Sequence, residues 1–189
     1  MAEKPIIFSA PMVLALLCGR KTVTRRIVNG CIDKAKPPCA PGDILWVREA
    51  WRTVSSLNNT PPSSMPKSSP IEYMAETKKI FTFPESRIRS PLHMPHWASR
   101  INILVTDVRM ERLHEITYLD CLREGVIGYV HQPCKGSEAL REYLASDDHR
   151  RSVIDSYSCI WNEIHGKGAW ANNPHVWRIE FEVSNEKAL

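Results

Sequence analysis

The segment Gly19-Arg20-Lys21-Thr22-Val23-Thr24-Arg25-Arg26 places four cations and two hydroxyls within eight residues. Cations this close repel one another, so a cluster of this kind either sits solvated on a turn or serves an anion, most simply a phosphate. A lysine crowded by arginines also has its charged form disfavoured, which is one route to a lysine that acts as a base. Thr24 stands three residues beyond that lysine and carries a hydroxyl that a base can activate. Residue types alone leave both readings open: a basic turn in water, or a site built from Lys21 and Thr24 with Arg20, Arg25 and Arg26 around it.

Two further stretches carry residues suited to an anionic, aromatic ligand. Pro41–Trp51 contains Arg48, and Met94–Arg100 contains Trp97 and Arg100. Arginine grips phosphate or a base edge through its forked donors. Indole rings stack on bases at about 1–3 kcal/mol per base. Surface charge is the plain alternative for Arg48 and Arg100, and Glu49 is placed to neutralise its neighbour. Trp46 lies inside an apolar run and reads as core, whereas Trp97, between Pro95 and Arg100, is the stacking candidate.

No metal and no cofactor is expected. His93-x-x-His96 and His131-x-x-Cys134 have ligand-like spacing, but zinc sites are normally built from four ligands in tighter pairs. The six cysteines contain no CxxC pair and read as reduced thiols. No GxGxxG or P-loop pattern occurs, and no clustered carboxylates suggest a two-metal nuclease.

The elements that position these residues follow from periodicity and punctuation. Pro5–Phe8 reads as a short buried strand and Met12–Cys18 as a helix closed by Gly19. Thr22–Val28 is β-branched enough for a strand. Pro41-Gly42-Asp43 is a turn that feeds a strand over Ile44–Val47. Ser55–Pro70 is rich in Ser, Pro and Asn and reads as a long surface loop, with a short strand at Ile71–Ala75. Ile101–Val108 alternates as a strand. A helix opens near Thr117 and ends at Gly125. Glu138–His165 is largely helical, with Tyr143, Ile154, Ile160, Trp161 and Ile164 as core candidates. Val176–Val183 is the closing strand, carrying Val176, Ile179 and Phe181. This irregular mixture predicts an α+β fold on a small barrel rather than a doubly wound sheet.

The bulk numbers fit one domain. The chain has 189 residues, 43% of them hydrophobic, a formal charge of +4 and a pI near 8.8. That balance permits nucleic-acid binding without requiring it. No apolar run approaches the ~18 residues of a membrane span. The start has no signal-peptide hydrophobic stretch, so a cytoplasmic location is expected. A single domain over residues 1–189 is expected, with a loop insertion at about 53–92 and a helical insertion at about 128–165.

Together the motifs resemble a known family. Phe8-Ser9-Ala10-Pro11-Met12 leads to the Gly19–Arg26 segment, then come Pro41–Trp51, Met94–Arg100, Glu124-Gly125-Val126, Trp161-Asn162 and Asn173–Trp177. This order is similar to the ASCH family, a PUA-like β-barrel with flanking helices, and most resembles the longer branch often carried by bacteriophages and prophages. The resemblance implies RNA-related roles. One bacterial branch hydrolyses N(4)-acetylcytidine, and its Gly-Arg-Lys-Thr-x-Thr segment matches Lys21 and Thr24. Its glutamate, about seven residues beyond a threonine, matches Glu124 counted from Thr117. Another branch has been linked to cleavage of single-stranded RNA.

Read as chemistry, Thr24 would be the nucleophile, Lys21 the base that takes its proton, and Glu124 the group that orients the lysine or protonates the leaving amine. Side chains alternate along a strand, so residues 21 and 24 meet only if Lys21 lies in the turn before the strand or a bulge intervenes. The expected activity is therefore an amidohydrolase on N(4)-acylated cytidine. The alternatives are a non-catalytic RNA- or DNA-binding module and a single-stranded RNA nuclease. The expected partner is a nucleoside or single-stranded nucleic acid, with no membrane. The basic segment is expected to border a cleft with Arg48 and Trp97 or Arg100.

Overall fold

A computed structural model describes residues 1–75, 83–126 and 147–184, the side chains of 147–150 excepted. The chain forms two compact units from discontinuous segments. One comprises Met1–Gly19, Cys39–Thr106 and Phe181–Leu189; the other comprises Arg20–Pro38 and Asp107–Glu180.

In the first unit, strand β1 (Glu3–Ile7) runs parallel to β3 (Ile44–Arg48), with Glu3 opposite Ile44. Strand β6 (Asn102–Arg112) pairs antiparallel with β3. The turn into β3 is held by Asp43, whose carboxylate accepts from the backbone N–H of Ala2 at 2.8 Å and of Ala40 at 3.1 Å. Those two bonds pull its pKa below the ordinary carboxylate range. Helix α1 (Ala10–Leu17) has Pro11 in its first turn, where a missing N–H costs nothing, and it buries Val13, Ala15 and Leu16. Gly19 then turns the chain with φ +68°, a conformation that a side chain would oppose.

The Ser/Pro/Asn-rich stretch lies mostly at the surface, as a loop should, yet two of its apolar residues are anchored inward. Leu57 and Met65 enter a small core with Trp51, Met94 and Ala98. Strands β4 (Trp51–Arg52) and β5 (Glu72–Tyr73) pair antiparallel beneath it. Arg89 binds the stretch from inside: its Nη2 donates to the carbonyls of Leu57, Asn58 and Thr60 at 2.7, 3.1 and 3.2 Å. A buried guanidinium thereby satisfies turn carbonyls that composition alone assigns to solvent.

In the second unit, strand β2 (Val23–Ile27) pairs antiparallel with β7 (His175–Ser184), which sets Thr24 opposite Ile179 and Arg25 opposite Arg178. Helix α2 (Tyr118–Arg123) starts at Thr117 with a reciprocal cap: Asp120 N–H donates to Thr117 Oγ1 and Thr117 N–H donates to Asp120 Oδ2. Helix α3 (Asp147–His165) turns Val153, Tyr157 and Trp161 onto one face, four residues apart, against Leu113, Cys121 and Val176. Of the core residues expected on this helix, Trp161 is buried and Ile154 and Ile160 pack at the margin. Ile164 is half exposed, because the 153–157–161 face points elsewhere. Tyr143 lies outside the described residues.

The strand order of the sheet is β1-β3-β6-β7-β2. The class is α+β, as expected. Among the described residues the sheet is open, ending at β1 and β2, and is not a closed barrel. Among these residues no helix is long and apolar enough to cross a membrane.

Candidate functional site

The basic segment is not a solvated turn. Lys21 is wholly buried and Arg25 nearly so, while Arg20 is exposed and Arg26 half-buried. The local geometry follows from how α2 ends. Glu124 closes the helix, Gly125 follows at φ +91°, and the last carbonyls of α2 are left without helical partners. Residues 20–22 supply the missing donors. Thr22 N–H donates to Arg123 O at 2.8 Å, and Lys21 Nζ donates to Glu124 O at 3.0 Å. Cations at a helix C-terminus also sit favourably in its dipole.

Lys21 Nζ donates further, to Glu124 Oε2 at 2.6 Å and to Val23 O at 2.9 Å. The Val23 carbonyl belongs to the peptide that leads into Thr24. The lysine therefore lies in the turn before β2, with its side chain turned back onto the Val23 carbonyl. Burial pushes the Lys21 pKa below its ordinary value; Glu124 opposes this, and Arg26 and Arg25 add to it.

Arg25 extends the network. It contacts Glu111 Oε1 at 2.7 Å, Asp120 Oδ2 at 3.0 Å and Glu124 Oε1 at 3.3 Å. Burial works against its charge, but Glu124 and its other neighbours outweigh that and raise its pKa. Its cross-strand neighbour is Arg178, and two arginines side by side on one sheet face would repel. Asp120 separates them, with Oδ2 on Arg25 and Oδ1 on Arg178 at 2.9 Å. Arg178 also bonds Glu180. Burial alone would raise the Asp120 pKa, yet Arg178 and Arg25 hold it at about 2. Tyr157 donates its hydroxyl to Glu124 Oε1 at 3.4 Å, and its own pKa is driven up by burial and then by Glu124. Burial pushes the neighbouring Cys121 thiol up to about 12, which leaves it unreactive.

Thr24 is buried on β2, and its hydroxyl has no hydrogen-bond partner among the described residues. By alternation it faces away from Arg25 and shares a strand face with Arg26. Burial lowers the Arg26 pKa, with Glu124 and Tyr157 opposing. The second unit thus brings Lys21, Arg25 and Glu124 together. It adds Asp120, Glu111, Tyr157 and Arg178, which motif reading missed. Only Asp120 had a local signal, the Thr117-x-x-Asp120 cap pattern; the others are joined to the site by strand register and helix packing.

Arg48, Trp97 and Arg100 belong to the first unit, each with its own partners. Arg100 holds Glu49 through two bonds, Nε to Oε1 at 2.8 Å and Nη2 to Oε2 at 3.0 Å, and lies 4.0 Å above the Tyr73 ring. Glu49 therefore serves Arg100 rather than Arg48. Arg48 donates to Leu92 O and stacks 4.5 Å from the centre of Trp46. Trp97 packs on the Trp51–Met65 core. The His96 and Trp46 ring centres lie 5.0 Å apart. His131 and Cys134 lie outside the described residues. Among the described residues no group of three or more His, Cys, Asp or Glu is placed to hold a metal.

No protein-family model matches the chain, and no curated protein matches it. Solved structures similar to it include an ASCH domain from Lactobacillus crispatus JV V101, at 10% identity and TM-score 0.42, over 96% of this chain and 79% of that one. A DUF984 protein from Enterococcus faecalis V583 is similar at 10% identity and TM-score 0.40, over 97% of this chain and 80% of that one. The chemistry is read from the geometry of the site itself.

Proposed function

We propose that this is a nucleic-acid- or nucleoside-directed protein that removes an acyl group from N(4)-acylated cytidine with Lys21, Thr24 and Glu124. The observation that carries this reading is the wholly buried Lys21 held 2.6 Å from the Glu124 carboxylate. A buried ion pair can relax by moving one proton along that contact, which leaves a neutral amine beside a carboxylic acid. Those are the two species amide hydrolysis needs. Lys21 Nζ takes the Thr24 hydroxyl proton as the oxygen attacks the acyl carbon. Glu124 delivers its proton to the departing N4, the C–N bond breaks, and cytidine leaves. Water then cleaves the acyl-threonine ester and releases the carboxylic acid. No cofactor or metal enters this sequence.

The test is product analysis of N(4)-acetylcytidine incubated with the wild type and four variants. Lys21→Ala and Thr24→Ala should abolish release of cytidine. Lys21→Arg should fail too, since a guanidinium stays protonated. Thr24→Ser should retain part of the rate. An active Lys21→Ala enzyme refutes the mechanism.

One observation favours a second reading, a non-catalytic RNA-binding module. Lys21 Nζ donates to Glu124 Oε2, Glu124 O and Val23 O, as an ammonium in a purely structural role does. In that case the wild type would be inactive on every acylated cytidine, and Lys21→Arg would keep its affinity for RNA. Labelled single-stranded RNA in the same incubations reports any cleavage, the outcome expected of a nuclease.

A further inference from the structure

The first unit holds a cavity that the Lys21 network does not use. Its volume is ≈ 580 Å³, and its walls include Arg87, Arg89, His93, Thr60, Ser90 and Ile88. That size lies within the usual range of small-molecule sites, roughly 300–1,000 Å³. It exceeds what a bare inorganic anion would fill.

The cations around this cavity differ from the carboxylate-paired arginines elsewhere in the chain. Arg25, Arg52, Arg100 and Arg178 each bond a carboxylate. The described wall residues include no Asp or Glu, and no ion pair joins Arg87, Arg89 or His93 to a described carboxylate. Arg89 is 6% exposed, and its three carbonyl contacts all fall on Nη2. Its Nε is buried without a hydrogen-bond partner among the described residues. After burial, the charge of Arg87 is what lowers the Arg89 pKa, so the two guanidiniums sense each other. Like charges gathered in one cavity without a carboxylate form a positive field that an anion would relieve. Thr60 and Ser90 offer hydroxyls, and Ile88, 60% exposed, offers an apolar surface.

We propose that this cavity binds the phosphate ester of a nucleotide, with Arg87 and His93 on the phosphate and Ile88 against the sugar or base. The site shares no residue with the Lys21 network and stands or falls independently of the amidohydrolase reading. The phosphate can belong to a free mononucleotide or to a single strand, and the probes separate these sources. The full-length chain is titrated with cytidine 5′-monophosphate, with cytidine, and with fluorescein-labelled octacytidylate RNA at low salt.

Binding of the monophosphate but not of cytidine supports the site and assigns a mononucleotide. Binding of the RNA alone supports it and assigns a strand. In either case Arg87→Glu should weaken the phosphate-bearing probe about tenfold or more, and the RNA salt slope should fall by about one. Both Arg87 and His93 have exposed side chains, so His93→Ala and Arg87→Ala give milder variants that keep the fold. The proposal is overturned if no phosphate-bearing probe binds the wild type. It is equally overturned if Arg87→Glu and His93→Ala bind as the wild type does.

Discussion

Replacing Glu124 by Gln isolates the energetics of the buried pair. The shape is kept, and an amide oxygen remains to accept from Lys21. What is lost is the negative charge 2.6 Å from a fully buried ammonium. Breaking a buried ion pair on one side costs about 3–5 kcal/mol. Arg25 retains Glu111 and Asp120, so the uncompensated charge falls on Lys21 and the lower end, about 3 kcal/mol, is expected. For a chain of this length that lowers the melting temperature by roughly 10 °C.

The deficit should also depend on pH. In the variant, folded Lys21 holds its proton less tightly than the unfolded chain does, so the unfolded state binds more protons. Stability then rises with pH until the unfolded lysine itself titrates near 10.5. The assay is thermal melting at pH 7 and pH 9.5, with hydrogen exchange at the β2 amides to localise the loss. Adding Lys21→Met to Glu124→Gln removes the stranded cation and should recover most of the stability. A Glu124→Gln protein that melts with the wild type, or a deficit that Lys21→Met deepens, refutes this reasoning.

Two other outcomes are expected. Asp120, held at about 2 against an ordinary 3.8, contributes stability that is complete above the higher value and disappears as pH falls towards the lower. Asp120→Asn should therefore cost about 2 kcal/mol at pH 7 by urea unfolding, and should flatten the acid limb of the wild-type curve between those two values. Gly19→Ala should cost about 1 kcal/mol in the same assay. A Cβ there meets nothing within 4 Å and the penalty comes only from φ +68°; a neutral substitution would show that the turn relaxes.

How far the sequence carried can be read from single elements. The α1–Gly19 boundary was legible because a helix stop is a local matter of backbone sterics. The closing strand was legible too, since its apolar residues Val176, Ile179 and Phe181 recur within a short run, the last two at strand spacing, and all are buried. Ser55–Pro70 was legible as a surface loop from its composition, but its anchoring by Arg89, Leu57 and Met65 was not, because those contacts join distant chain positions. Ile164 was misread because apolar content does not say which helix face turns inward.

By itself, then, the sequence determined the α+β class, the order of the main elements and the concentration of charge at Arg20–Arg26, because each depends on local propensity and residue type. It could not decide whether those cations face water or the interior. Only the tertiary structure buried Lys21 and Arg25, set Arg178 opposite Arg25, placed Asp120 between them and closed the α2 terminus onto the lysine. Those outcomes rest on strand register and on where a helix ends in space. Lys21 and Arg25 lie 95 to 103 residues from Asp120 and Glu124, at separations where no local pattern in the chain connects them.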